Sequence, residues 1–224
     1  LWLLSRRSQS GQSGLASLRP QRLQSGLMPR FFVEKISHPA ILSPEESRHA
    51  VKTLRLQPGD RVVVFDPVES WTGEIESVAG DVRIRLLEKL ERPSLPRVVV
   101  AAAVPKGARL DWMIEKLAEL GVAEFIPVRF DRSVARLGDG KQRRLEKIAV
   151  AAAKQSGAPV MAVAPERPVT ELPGDAQLAS PAASGPASAG PGLLVIGPEG
   201  GLTPAEEARF PRTFSLGPTI LRIE

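Results

Sequence analysis

The sequence predicts a small β-rich domain followed by an α/β domain with a mostly parallel sheet. Residues 28–92 hold several short strand patterns and one helix pattern, which is typical of a small barrel. After residue 96 strands alternate with helices, and this alternation indicates a parallel sheet covered by helices. Residues 91–96, ERPSLP, contain two prolines and are predicted to link the two domains. The second domain is therefore expected over residues 97–224.

The first 27 residues differ from the rest of the chain. They are rich in Ser, Gln, Arg and Gly, contain no acidic residue and show no periodicity. We interpret them as an extension outside the fold, with Met28 as the expected start of the folded part. An organelle transit peptide is the alternative interpretation.

The net charge of +5 gives little information about partners. Five of the 30 basic residues precede Glu34, so residues 34–224 carry 25 basic and 25 acidic residues. Only the pattern of charge on individual elements is informative.

Composition excludes several classes of site. The chain has no cysteine, which removes disulfides, zinc–thiolate sites and thiol catalysis, and it has only two histidines, His38 and His49. No metal site is therefore expected. No apolar run approaches the length of about 18 residues that a membrane span needs. These features fit a reducing compartment, and we expect a cytoplasmic protein, or an organellar one if the transit-peptide interpretation holds.

In the first domain the sequence predicts a strand at 30–36, then a helix that begins with a Ser43–Glu46 capping box and runs to about Leu56. Apolar runs or alternation predict three further strands, at 61–66, 72–78 and 82–90.

In the second domain a continuous apolar run predicts a buried parallel strand at 98–104. Apolar residues at helical spacing predict helices that end near Gly121 and Gly157. Trp112 lies beside the first of these apolar stripes and is predicted to be in the core. Further strands are expected at 124–130, 159–164 and 192–196, with a flexible loop at 173–192 and a second capping box at Thr203–Glu206.

The most informative segment is LLVIGPEGG, in which an apolar strand leads into a glycine-rich turn. In open α/β sheets ligands bind at the carboxyl edge, and glycines let a ligand approach the main chain closely. The turn matches neither a dinucleotide-binding nor a P-loop signature. A second glycine turn at Leu216–Gly217 is expected to form a neighbouring wall of the same pocket.

Six segments, in order, resemble the RsmE-like family of SPOUT methyltransferases. They are MPRFF, HAVKTLRLQPGD, KLAELGVAEFIPV, IAVAAAKQSG, IGPEGGLTPAEE and LGPTILRIE, and they cover nearly all of residues 28–224. The resemblance implies a PUA-like RNA-binding barrel followed by a SPOUT-type α/β methyltransferase domain with a trefoil knot. It also implies S-adenosyl-L-methionine as cofactor, a homodimer, a role in rRNA processing during ribosome biogenesis, and methylation at N3 of a uridine in 16S-type small-subunit ribosomal RNA.

The resemblance implies which residues bind the methyl donor: Gly197, Pro198, Glu199, Gly200, Gly201, Leu216, Gly217 and Leu221. Because uridine N3 carries a proton, a base or a group that stabilises the anion would assist the transfer. Glu199, Arg222 and Glu224 are candidates that the sequence does not rank, so the catalytic residue stays unknown. Positioning alone is a further possibility.

Several cations are candidates for RNA binding, because cationic faces bind phosphate. Arg48, Lys52 and Arg55 are spaced to share one face of the predicted helix, and Arg143, Arg144, Lys147 and Lys154 form a similar stripe. The remaining candidates are Lys106, Arg132 and Arg222. An ordinary solvated surface is the alternative for each stripe.

The sequence departs from the family pattern at three positions, since Ala158 and Thr219 stand where the family usually has Arg and Ile223 where it has Thr. A further helix usually follows the equivalent of Glu224, so we expect the methyltransferase domain to be incomplete at its C-terminus. The altered Arg positions permit a first alternative, a SPOUT methyltransferase with a different RNA target. A non-catalytic RNA-binding module of the same fold is the second alternative.

Overall fold

The computed structural model of the chain describes residues 28–92, 94–138, 140–188 and 192–217. The first part forms a five-stranded sheet in the order β1-β3-β4-β5-β2. Its strands are β1 (Arg30–Phe32), β2 (Ala40–Ile41), β3 (Arg61–Phe65), β4 (Ser70–Ser77) and β5 (Arg83–Leu90). Strand β1 runs parallel to β3 and the other pairs are antiparallel. Phe31, Val62, Val64, Ile75 and Ile84 are buried between the strands and hold this sheet together.

A short helix covers one end of this sheet. Helix α1 (Pro44–Arg48) begins after Ser43, whose side chain accepts a hydrogen bond from the main chain of Glu46, as predicted. From His49 to Thr53 the helix continues with π geometry, closed by a bond from Leu54 N to the His49 carbonyl. The predicted extension to Leu56 was wrong, because the widened turn ends the helix early. Arg55 lies beyond it with a φ of +54°.

The second part forms a seven-stranded parallel sheet in the order β12-β10-β11-β6-β7-β8, with β9 also paired to β7. Its strands are β6 (Val98–Ala103), β7 (Glu124–Arg129), β8 (Ala162–Val163), β9 (Arg167–Pro168), β10 (Gln177–Ala179), β11 (Gly192–Ile196) and β12 (Arg212–Phe214). Its helices are α2 (Arg109–Glu119), α3 (Lys141–Ser156) and α4 (Pro204–Glu207). None of the described helices combines the length and the apolar character needed to cross a membrane.

The central strand β6 explains the two layers of core. Val100 and Ala102 point to one face, where they pack with buried residues of α2 and α3. Val99 and Ala101 point to the other face and join a second cluster that includes Phe210. Because both faces are buried, the strand is apolar along its whole length.

Two predictions for this domain were wrong. Strand β10 lies inside the segment predicted to be a flexible loop, because Leu178 is buried and its main chain pairs with β11 and β12. Trp112 is 50% exposed, since Leu110, Met113 and Ile114 occupy the buried face of α2. Residues 1–27 and 218–224 lie outside the described residues, so the predicted extension and the knot stay predictions. The predicted domain boundaries also stay predictions.

Candidate active site

The two glycine turns leave the same edge of the parallel sheet. Leu178 of β10 pairs with Val195 of β11 on one side and with Thr213 of β12 on the other. Strands β11 and β12 therefore end level with each other, about 10 Å apart with β10 between them, at the usual strand spacing. The two turns therefore lie on either side of the carboxyl end of β10.

The first turn, residues 197–201, is held in a tight conformation by its own glycines. A Cβ on Gly197 would overlap Cδ1 of Leu202, and a Cβ on Gly200 would lie 3.3 Å from both Cβ and the carbonyl oxygen of Arg132. Gly201 has a φ of +72° and donates a hydrogen bond of 2.9 Å to the Pro198 carbonyl. The Leu202 side chain could move away from a side chain at Gly197, but one at Gly200 would press on the main chain of Arg132 and one at Gly201 would strain the backbone, so the turn depends on these two glycines.

This turn leaves main-chain donors free. Glu199 and Gly200 are exposed, and within the described residues their N–H groups donate no hydrogen bond to another protein atom. Consecutive free N–H groups in a turn suit the acceptor atoms of a ligand, anionic ones above all. The turn can therefore bind a ligand through its main chain.

Arg132 and Glu206 fix the first turn against the loop that follows β7. Nη1 of Arg132 lies 3.3 Å from the carbonyl oxygens of Gly200 and Leu202 and donates to them. The buried carboxylate of Glu206 accepts hydrogen bonds of 2.8 Å from the main-chain N–H groups of Asp131 and Thr203. The capping box at Thr203 was predicted and is confirmed, but its link to Asp131 was not foreseen.

The second turn is more open. Leu216 is 56% exposed, and Gly217 has a φ of +135° with open space where a Cβ would lie. Oγ of Ser215 accepts from the Gly217 N–H and donates to its carbonyl, which closes the turn locally. Leu221, Arg222 and Glu224 lie outside the described residues, so their predicted roles stay predictions.

Comparison with known proteins places this site in a family. Residues 92–224 match the family described as RNA methyltransferase domain, and residues 42–86 match the RNA methyltransferase PUA domain. Ribosomal RNA small subunit methyltransferase E of Bacillus subtilis is 34% identical over 88% of this chain and 92% of its own length. The chain belongs to the ribosomal RNA small subunit methyltransferase E family.

Solved structures of similar proteins share the architecture. A probable rRNA-methyltransferase from Porphyromonas gingivalis is 28% identical, with a TM-score of 0.74 over 88% of this chain and 92% of its own. A putative methyltransferase from Legionella pneumophila, solved in complex with the bound cofactor SAM, is 25% identical, with a TM-score of 0.75 over 88% and 93%. The predicted SPOUT-type fold preceded by a PUA-like domain is confirmed.

The cations predicted to contact RNA differ in their surroundings in this family member. Arg48, Lys52, Arg55 and Lys106 are exposed. Arg55 does not share the helix face of Arg48 and Lys52, because the helix ends at Thr53; that part of the prediction was wrong. Arg132 is exposed but also supports the first turn, a role that its position in the sequence does not reveal.

Two of the four cations in the second predicted stripe, which runs from Arg143 to Lys154, form ion pairs within the protein. Arg144 forms an ion pair with Asp111 of α2, and Lys154 forms one with Glu46 of α1. Arg143 and Lys147 remain exposed. The described residues bring together no group of three or more His, Asp or Glu side chains that would hold a metal ion.

The carboxylate of Asp66, in the PUA-like domain, accepts several main-chain hydrogen bonds. Burial alone would raise the pKa of Asp66, but hydrogen bonds from the main-chain N–H groups of Glu69, Ile36 and Val68, together with the charge of Arg92, hold that pKa below its ordinary value. Arg92 in turn donates to the carbonyl oxygens of Asp66, Pro67 and Glu69. These bonds order the turn between β3 and β4.

Proposed function

We propose that this chain transfers a methyl group from S-adenosylmethionine to N3 of a uridine in 16S-type small-subunit ribosomal RNA. The observation that carries the proposal is the first glycine turn, whose exposed N–H groups lie at the ligand-binding edge of a methyltransferase domain. Two comparisons support it. The Bacillus relative is named as a small-subunit rRNA methyltransferase, and the Legionella structure contains SAM.

The donor would bind through the main chain of Gly197, Pro198, Glu199, Gly200 and Gly201, and through Leu216, Gly217 and Leu221 of the second turn. The free N–H groups of Glu199 and Gly200 fit its polar groups. The exposed side chain of Leu216 would cover an apolar surface of the ligand. When bound, the donor supplies a methyl group on a positively charged sulfur, which needs no metal ion to activate it.

The protein must also deal with the proton on uridine N3. The carboxylate of Glu199 is exposed on the donor-binding turn. It can accept the N3 proton of a uridine whose ring lies against that turn. Arg222 and Glu224 remain candidates for stabilising the uridine anion or accepting the proton. Holding N3 and the methyl group in line would contribute independently of any base.

Cations of both domains would hold the RNA. Arg48 and Lys52 are exposed on α1 and its π turn in the PUA-like domain, and Lys106 is exposed in the loop that follows β6 in the methyltransferase domain. These cations would neutralise phosphates and release counterions, so RNA binding should weaken as salt rises. As further parts of the proposal, the protein acts in the cytoplasm and forms a homodimer. Light scattering of the purified protein tests the homodimer.

Mass spectrometry of ribosomal RNA from a strain that lacks this gene tests the proposal. N3-methyluridine should disappear from small-subunit RNA and return when the wild-type gene, but not a Gly200→Trp variant, is supplied. An unchanged N3-methyluridine level would eliminate the proposed reaction. Loss of a different methylated nucleotide would favour another RNA target, and absence of S-adenosylmethionine binding by calorimetry would favour a non-catalytic RNA-binding module.

A further inference from the structure

An ion pair joins the two domains close in sequence to the exposed cations Arg48 and Lys52. Nζ of Lys154 in the last turn of α3 donates to both carboxylate oxygens of Glu46 in α1, at 2.8 and 2.9 Å. The two side chains are only 21% and 19% exposed. A pair shielded to this degree is screened by salt much less than a fully exposed one.

Side chains of β1 lie beside this end of α3. The ammonium group of Lys154 lies 5.8 Å from the centre of the Phe31 ring, which belongs to β1. Nearby, the guanidinium carbon of Arg30 would lie 3.8 Å from a Cβ at Gly157, the glycine that ends α3. The end of α3 is therefore in contact with both α1 and β1 of the PUA-like domain.

Each partner lies on a helix of its own domain. Leu145, Ala149 and Ala152 bury one side of α3 in the core of the methyltransferase domain. Glu46 precedes Arg48 by two residues, and the π turn with Lys52 follows directly. Single π turns occur frequently at functional sites.

We infer that the Glu46–Lys154 ion pair is a positioning device that holds the cationic surface of Arg48 and Lys52 in a fixed orientation relative to the methyl-donor edge. The inference rests on the proposed function. An RNA bound on this surface must place one uridine against the donor, so a loose domain orientation lowers the fraction of productive complexes. Neither Glu46 nor Lys154 needs to touch the RNA.

The kinetic test compares Glu46→Gln, Lys154→Met and the double variant with wild type on small-subunit RNA. Each single variant should raise KM for RNA about 5- to 10-fold with kcat within about 2-fold, and S-adenosylmethionine affinity should stay unchanged. The double variant should be no worse than either single one, because both remove the same interaction. The matched control is Arg97→Met with Glu124→Gln, an ion pair inside the methyltransferase domain, which should leave KM unchanged.

Distance measurements provide a second test that needs no activity. The chain has no cysteine, so spin labels at Lys35→Cys and Lys147→Cys, both exposed, report only the distance between the domains. The distribution should be narrow in wild type and broaden at least about 2-fold in Glu46→Gln. An unchanged width, an unchanged KM, or equal loss of donor affinity would each overturn the inference. If wild type methylates no ribosomal RNA while the distribution still broadens, the proposed function fails and the positioning role stands.

Discussion

The carboxylate of Glu206 accepts a hydrogen bond of 2.8 Å from the main-chain N–H of Asp131, 75 residues earlier in the chain. The same carboxylate holds Thr203 at the start of α4. Two loops at the carboxyl edge of the sheet are thus joined by one buried side chain. The first glycine turn lies in the loop between β11 and α4, so its position depends on this carboxylate.

We expect Glu206→Ala to destabilise the protein by about 3 kcal/mol, because it leaves two partly buried main-chain donors without their charged acceptor. Donor affinity should also fall, as the turn is no longer held. Denaturant unfolding and calorimetry measure the two effects. Glu207→Ala is the control, an exposed position on the same helix that should change stability by less than about 0.5 kcal/mol.

Gly200→Ala should weaken S-adenosylmethionine binding at least about 10-fold and cost about 1–3 kcal/mol of stability. The new methyl group would lie 3.3 Å from Cβ and the carbonyl oxygen of Arg132, neither of which can move away freely. Calorimetry on the purified variant checks the affinity. Gly185→Ala, at a glycine with open space around it, should behave as wild type. Equal affinity for the two variants would remove the turn from the donor site.

Variants of Arg132 and Lys106 distinguish a residue that supports the first glycine turn from one that contacts only RNA. Arg132→Gln should lower both donor affinity and RNA affinity, with a loss of about 1 kcal/mol of stability from its two long hydrogen bonds. Lys106→Gln removes an exposed cation and should lower RNA affinity alone. Fluorescence anisotropy with an rRNA fragment and calorimetry with the donor distinguish the two. Unaltered donor binding in Arg132→Gln would argue against the supporting role.

Asp66 should make stability depend on pH. Because the folded-state pKa of Asp66 lies below the value of about 3.9 expected in the unfolded chain, its contribution is fully present above that value and is lost as pH falls through the folded pKa. The difference in unfolding free energy between wild type and Asp66→Asn should therefore shrink below about pH 4. Urea titrations between pH 3 and pH 7 measure it, and a difference that grows on acidification would contradict this sign.

Local patterns predicted much of the fold but not the contacts between distant segments. Apolar runs and alternation identified most strands, since their side chains are buried on one or both faces. Strand β10 was not predicted, because Leu178 is its one large apolar residue in a segment rich in Pro, Ala, Gly and Ser. The π turn after α1 has no recognised sequence signature. The sequence therefore placed Arg55 on the helix face of Arg48 and Lys52, which was wrong.

The site shows the same division. Motifs identified the two glycine turns and the Thr203 capping box, since these depend on neighbouring residues. The support from Arg132 and Glu206, and the Glu46–Lys154 pair between domains, join residues that are 68 to 108 positions apart. No local spacing encodes such contacts, so only the folded arrangement reveals them.

The central claim is that the main chain of the first glycine turn binds the methyl donor. Amide NMR of the 15N-labelled protein during titration with S-adenosylmethionine tests it most directly. The account predicts that the N–H resonances of Glu199 and Gly200 shift with the same saturation curve as the calorimetric binding. Saturable binding that leaves these two resonances in place would contradict the account.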